Sequence, residues 1–145
     1  MFLGEYNHSV DSKGRISLPI KFRDQLSQPF YITRGMEDCL FIYDQEEWMR
    51  MDEKIRKLRL TAKAARGFSR LFYAGAMEVS LDKQGRFVIP PHLRSYAGIE
   101  NDAVIVGVSD RIEVWAKEAW ASYMDSDAMD YDELTESLNA TDTDL

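Results

Sequence analysis

The chain writes one long phrase twice. VDSKGRISLPIKFRDQL at residues 10–26 lines up with LDKQGRFVIPPHLRSYA at residues 81–97. Asp11, Gly14, Arg15, Pro19 and Arg23 thereby match Asp82, Gly85, Arg86, Pro90 and Arg94. One residue is then inserted, and YITRGMEDCLFIYDQEEW (31–48) continues against AVIVGVSDRIEVWAKEAW (103–120), matching Gly35, Asp38 and Trp48 to Gly107, Asp110 and Trp120. The same order of elements written twice in 145 residues implies a duplicated supersecondary unit. Each copy spans only about 50 residues, too few to bury a sufficient core easily on its own.

Each copy has a local logic. Asp at the first position of the turn and Gly at the fourth suit a type I turn closed by a left-handed residue, a hairpin loop with a bulge. A short strand follows, Ile16–Leu18 or Phe87–Ile89. Pro19 or Pro90 stops it and opens a short helix, where Pro is tolerated in the first turn. Further strands are predicted over 30–34 and 39–43, then over 103–108 and 111–115, each pair joined by a turn containing Gly and Asp. A helix starts near Asp44 and near Ala116 and carries the matched Trp. Between the copies, Ile55, Leu58, Ala62, Ala65, Phe68 and Phe72 recur every three or four residues, which predicts an amphipathic helix over 54–72. The reading is an α+β chain: a first repeat at 5–52, a basic helical linker at 53–80, a second repeat at 81–124, and an acidic tail at 125–145 read as mobile or weakly helical.

Catalysis finds no support. The one cysteine, Cys39, excludes an intrachain disulfide and a cysteine-based zinc site, and fits a reducing cytoplasm. It precedes a strand-like LFIY and reads as a buried structural thiol. His8 and His92 fall at non-equivalent places in the repeat, without further metal ligands at regular spacing. Asp11 and Asp82 would form a carboxylate dyad only if the two turns met, and turn formation already explains them. The acidic DSDAMDYDE lacks the central Gly and ligand spacing of a calcium loop. No glycine-rich phosphate loop is present. The expectation is no enzyme, no cofactor, no metal and no small-molecule substrate. No apolar run approaches the ~20 residues that span a bilayer, and Gly4, Glu5, Asn7 and His8 interrupt any secretory leader pattern.

Charge is distributed unevenly. The net charge is −7, yet residues 54–76 carry seven basic and no acidic side chains, and residues 121–145 carry eight acidic and no basic ones. Local clusters therefore decide what binds. Lys13 and Arg15 flank Gly14 at a hairpin tip, with Lys21 and Arg23 in the helix that follows. Strand alternation puts Arg15 and Ser17 on one face and Ile16 and Leu18 on the other. A narrow basic hairpin can enter a major groove, where Arg grips guanine and Lys neutralises phosphate. On spacing alone the plainer reading is favoured, that Arg15 simply pairs with Asp11 across its own turn. The second copy, with Lys83, Gln84, Arg86 and Arg94, has apolar Phe87, Val88 and Ile89 on both strand faces. It is expected to be more deeply buried and partly scaffold. The basic helix reads by default as a solvated face, with a phosphate contact or a seam against an acidic neighbouring subunit as the functional alternatives.

VDSKGRISLPIKFRDQL resembles the swapped-hairpin transition-state regulators, whose DNA-binding unit is called AbrB-like. Two such copies, opening MFLGEYNHSVDSKGRISLP and SLDKQGRFVIPPHLR, resemble within it the MraZ group over roughly residues 1–124. The resemblance implies two repeats interleaved into an AbrB-like β-barrel, a pseudo-dimer within one chain, with chains assembled into rings. It also implies a cytoplasmic, nucleoid-associated regulator of transcription. Such a regulator binds short direct repeats of double-stranded DNA at the promoter of a division and cell-wall operon that includes its own gene. Carried onto this sequence, the motif residues are Asp11, Lys13, Gly14 and Arg15, with Asp82, Gly85 and Arg86. The alternatives are an antitoxin-like regulator of the same fold and a structural, protein-binding module.

Overall fold

The computed structural model describes residues 1–126 and 130–141. The first copy runs β1 (Phe2–Ser9), β2 (Arg15–Ser17), α1 (Ile20–Gln25), β3 (Phe30–Arg34), β4 (Leu40–Tyr43), α2 (Gln45–Arg56) and α3 (Lys63–Gly75). The second runs β5 (Met77–Val79), β6 (Arg86–Val88), α4 (Pro91–Ala97), β7 (Asp102–Ser109), β8 (Arg111–Ala116) and α5 (Lys117–Asp125), and α6 (Tyr131–Asn139) follows. The α+β class and the repeated order of elements are as the sequence predicts.

Strand pairing crosses between the copies. One antiparallel sheet has the order β1-β7-β8-β4-β3-β5, and a two-stranded ribbon joins β2 to β6. Exchanging the copies maps this order onto itself. The first strand of each copy pairs with the hairpin of the other: β1 lies along β7 from Phe2↔Ser109 to Ser9↔Asp102, and β5 lies along β3 from Ile32↔Met77 to Phe30↔Val79. The duplicated units are thus interdependent. β1 and β5 stand at the two ends of the strand order, so the paired strands form an open sheet plus a ribbon, and no closed barrel is seen among the described residues.

Period-two alternation places apolar residues on both faces of the sheet. Leu40, Ile42, Ile112 and Val114 pack toward the ribbon and the short helices, where they meet Phe22, Phe30, Phe87 and Leu93. Phe41, Tyr43 and Trp115 face the other way, into a second cluster with Ile55 and Phe72. The result is three layers: ribbon with α1 and α4, sheet, then α2, α3 and α5. The matched tryptophans cover equivalent parts of the outer face. Trp48 stacks on Tyr31 at 4.8 Å and on Phe72 at 5.3 Å, while Trp120 packs edge-on to Trp115 at 5.2 Å.

Two expectations are corrected. The helix predicted over 54–72 is two helices: α2 ends at Arg56 and α3 begins at Lys63. A straight helix from Gln45 to Gly75 would run about 45 Å at 1.5 Å per residue and carry Phe72 away from the sheet that Trp48 covers. The reversal instead buries Ile55 and Phe72 in one cluster and lets the Thr33 hydroxyl donate to the Phe72 carbonyl at 2.6 Å. Arg66 closes the turn by donating to the carbonyls of Leu60 and Thr61 at 3.0 and 3.1 Å. Leu58 and Leu60 are left exposed. Gly107 is not in a turn but inside β7, and the turn is made by Ser109, at φ 63°, and Asp110. The reason is close approach by β1: a Cβ on Gly107 would lie 2.4 Å from the Leu3 nitrogen. In the acidic tail, residues 131–139 form a helix capped by Asp130, which accepts from the N–H groups of Asp132 and Glu133. Residues 127–129 and 142–145 of that tail lie outside the described residues. No described helix is long and apolar enough to cross a membrane.

Candidate nucleic-acid interface

Both Asp-x-x-Gly turns form through the same bonds. Asp11 Oδ1 accepts the N–H of Lys13 and of Arg15, each at 2.9 Å, and Oδ2 accepts Arg15 Nε at 2.6 Å. Asp82 repeats this with the N–H of Gln84 at 2.8 Å, the N–H of Arg86 at 2.9 Å and Arg86 Nε at 3.0 Å. The backbone N–H of the following arginine is the main reason each carboxyl is held below its ordinary value, and each aspartate stays ionised. Gly14 and Gly85 take φ of 79° and 75° and donate back to the Asp11 and Asp82 carbonyls. Each carboxylate is therefore consumed in shaping its own loop, and the two turns lie at opposite ends of the ribbon, so no carboxylate dyad forms.

Each turn is also locked to the far end of the opposite strand. The Gly14 carbonyl accepts from Ile89 N–H at 2.9 Å, and the Gly85 carbonyl accepts from Leu18 N–H at 3.2 Å. Between them β2 and β6 pair as Arg15↔Val88, Ile16↔Phe87 and Ser17↔Arg86. Ile16, Leu18, Phe87 and Ile89 point into the core. Arg15, Ser17, Arg86 and Val88 share the outward face. In this register Arg15 and Arg86 are diagonal neighbours, roughly 7–8 Å apart at their Cα atoms.

This corrects the expected ranking of the two strands. The second is not more deeply buried than the first: Val88 is 50% exposed, and Phe87 and Ile89 are inside just as Ile16 and Leu18 are. The side chains of Arg15 and Arg86 are equally open, at 32% and 29%. Each guanidinium is pinned through its Nε edge, which leaves both Nη groups without an acceptor among the described residues. Val88 was not singled out in the sequence, although alternation from Arg86 would have placed it on the same face.

Basic residues surround this face unequally. Lys13 and Lys83 are exposed at opposite turn tips, and Lys21 is exposed on α1. Arg94 is structurally engaged, donating Nε to the Ile99 carbonyl at 3.0 Å and Nη2 to the Glu100 carbonyl at 2.6 Å. Arg23 lies over the second turn, with Nε buried and without a partner. A Cβ added to Gly85 would fall 1.9 Å from Arg23 Nη1, whereas one on Gly14 would stay 3.3 Å from Arg94 Nη1. Both substitutions incur the left-handed penalty of about 1–2 kcal/mol, and only the first also displaces a guanidinium. Gly85→Ala is expected to cost about 1 kcal/mol more than Gly14→Ala in urea unfolding. Equal losses would show that Arg23 yields freely.

The remaining chemistry-bearing residues do not converge. Cys39 is fully buried, and burial pushes its thiol far above the ordinary value. His8 is held below its usual value by burial and then by the nearby Arg23 charge. His92 bonds the Gly75 carbonyl at 2.9 Å. Among the described residues no His, Cys, Asp and Glu cluster could hold a metal ion.

Known proteins carry the same architecture in sequence. The family described as "MraZ protein, putative antitoxin-like" matches twice, over residues 1–71 and 72–141. A protein of Finegoldia magna named "Transcriptional regulator MraZ" is 51% identical over 142 residues, covering 98% of this chain and 99% of its own. Proteins of the same name from Caldanaerobacter subterraneus and Clostridium tetani are 48% and 50% identical, each covering 96% of this chain and 97% of theirs. These relatives bear the name of a regulator rather than of an enzyme. With two family matches spanning both copies and half-identical relatives aligned almost end to end, the chain belongs to the MraZ family.

Proposed function

We propose that the chain is a sequence-specific, double-stranded-DNA-binding transcriptional regulator and that the outward face of the β2–β6 ribbon is its reading surface. The observation that carries this is the pair of Asp-pinned arginines, Arg15 and Arg86, side by side on an exposed ribbon and flanked by Lys13, Lys83 and Lys21. A two-stranded ribbon fits a major groove, and a guanidinium held by Nε presents its Nη groups to guanine O6 and N7 without reorganisation. The diagonal spacing of about 7 Å is roughly two nucleotide steps along one strand. Gly14 and Gly85 shape the tips, Arg23 buttresses the second, and Arg94 fixes the loop behind the first.

The interleaved copies form one swapped-hairpin β core of the AbrB-like kind, and chains assemble as a ring. A ring presents many ribbons to successive direct repeats, so each later contact is effectively intramolecular. This lets a chain of net charge −7 bind DNA through local basic edges. The promoter of the division and cell-wall operon, including the chain's own gene, is the proposed target, and the relatives' name supports a regulator. Gel-shift titration at fixed salt tests the reading. The upstream fragment of its own gene is expected to bind at least ~10³-fold more tightly than a shuffled fragment. Equal affinity for both would overturn it. A small basic protein that copurifies would favour instead the antitoxin-like reading suggested by the family description.

A further inference from the structure

We propose that α6 of one copy seats its apolar stripe in the groove between α3 and the β3–β4 turn of a second copy, head to tail. This names the contact for the ring assembly proposed above and rests on that reading. The groove encloses about 580 Å³ and is walled by Met36, Phe41, Met51, Phe68 and Leu71. Leu71 is largely in water although it borders the buried Phe72. One wall of the groove is α3, which carries Lys63, Arg66 and Arg70 and no acid, while the lining itself holds one cation and one acid, Arg34 and Glu37.

The α6 helix is the complement in shape and in sign. Tyr131, Leu134 and Leu138 stand at i, i+3 and i+7, which is one stripe of a helix. They are 83%, 41% and 44% exposed. Asp130, Asp132, Glu133 and Glu136 cover the rest, and residues 121–145 contain no base at all. An acidic amphipathic helix with an unburied stripe and an apolar groove beside a cationic helix thus occur on one chain, and neither is filled by the described residues. Exposed apolar patches of this kind mark interaction sites, and here the two match each other between chains. Such a contact is heterologous, and it closes a ring when its rotation divides a full turn. It has a second consequence. Tails laid along the basic α3 face neutralise it and leave the ribbon arginines as the positive feature that DNA meets.

The test uses the full chain and reads mass by light scattering. Leu71→Asp spoils the groove, and the double variant Leu134→Asp with Leu138→Asp spoils the stripe. All three side chains are exposed, so both proteins are expected to fold, as circular dichroism would check. Leu71→Ser serves if the charged groove variant does not fold. Each variant alone is expected to be monomeric. Mixed one to one, they retain a single intact contact and are expected to form a dimer. The contact is overturned if the wild-type chain is itself monomeric, if either variant keeps the wild-type mass, or if the mixture stays monomeric because α6 fills its own groove. A wild-type chain that assembles as described but binds promoter and shuffled DNA equally would sink the regulator reading and leave the contact standing.

Discussion

Arg15→Ala is expected to abolish the preference for promoter over shuffled DNA while leaving the urea unfolding free energy within about 1 kcal/mol of wild type. The stability side follows from what the side chain touches. Its guanidinium makes one ion pair, to Asp11, and both side chains are about one-third exposed; such pairs contribute roughly 0–1 kcal/mol. Asp11 keeps its two backbone bonds when the guanidinium is gone, so the turn persists. The binding side follows from multiplicity. A lost bidentate contact to guanine would remove about 1–3 kcal/mol of discrimination at each ribbon, and the ring proposed above would lose it at every repeat it engages. Arg86→Ala is expected to fall within a few fold of Arg15→Ala, since the two arginines share a face, an exposure and a pinning carboxylate. A binding isotherm for Arg15→Ala indistinguishable from wild type at fixed salt would remove the ribbon from the interface. An Arg86→Ala protein with wild-type affinity would restore the division of labour expected from sequence, with the second copy as scaffold. Arg15→Lys separates charge from geometry: it keeps the phosphate attraction but not the planar fork, so non-specific binding should survive while specificity is lost.

What was legible in the sequence is what local chemistry dictates. Asp11 and Gly14 specify a turn because an Asx side chain caps nearby N–H groups and glycine tolerates a positive φ, and the second copy obeys the same rule. Asp44 starts α2 because its carboxylate accepts the Glu47 N–H at 2.9 Å. Partner choice was not legible. That β1 pairs with β7 and β5 with β3 is a long-range outcome, and no residue in either strand names its neighbour. The break between α2 and α3 was hidden for a related reason. Residues 57–62 contain neither Gly nor Pro, and the apolar spacing runs straight through them. Only the demand that Ile55 and Phe72 share one cluster turns the chain there. For the site, Arg15 was readable from its own hairpin. The equivalence of Arg86 required the register Ser17↔Arg86, because three consecutive apolar residues conceal which of them is outside.

Phe87→Ala is expected to cost about 3–5 kcal/mol, whereas Val88→Ala, one residue further on, is expected to cost less than about 1 kcal/mol. The two side chains leave the same strand on opposite faces. Phe87 is buried edge-to-face against Phe30, ring centroids 5.5 Å apart, with Ile16 opposite it in the ribbon. Its removal would leave a cavity between ribbon and sheet that a closely packed interior fills poorly. Val88 projects beside Arg15 into water. The functional outcomes should separate in a second way. Phe87→Ala loosens the surface that holds both arginines, so DNA affinity should fall together with the amide-exchange protection of positions 16 and 87. Val88→Ala keeps the ribbon rigid and alters only an apolar contact on its proposed reading face, so any change in affinity should come with unchanged protection. Comparable destabilisation by the two substitutions, read from urea unfolding, would mean that both faces of β6 are buried, as the apolar run FVI first suggests, and the outward ribbon face would have to be abandoned as the interface.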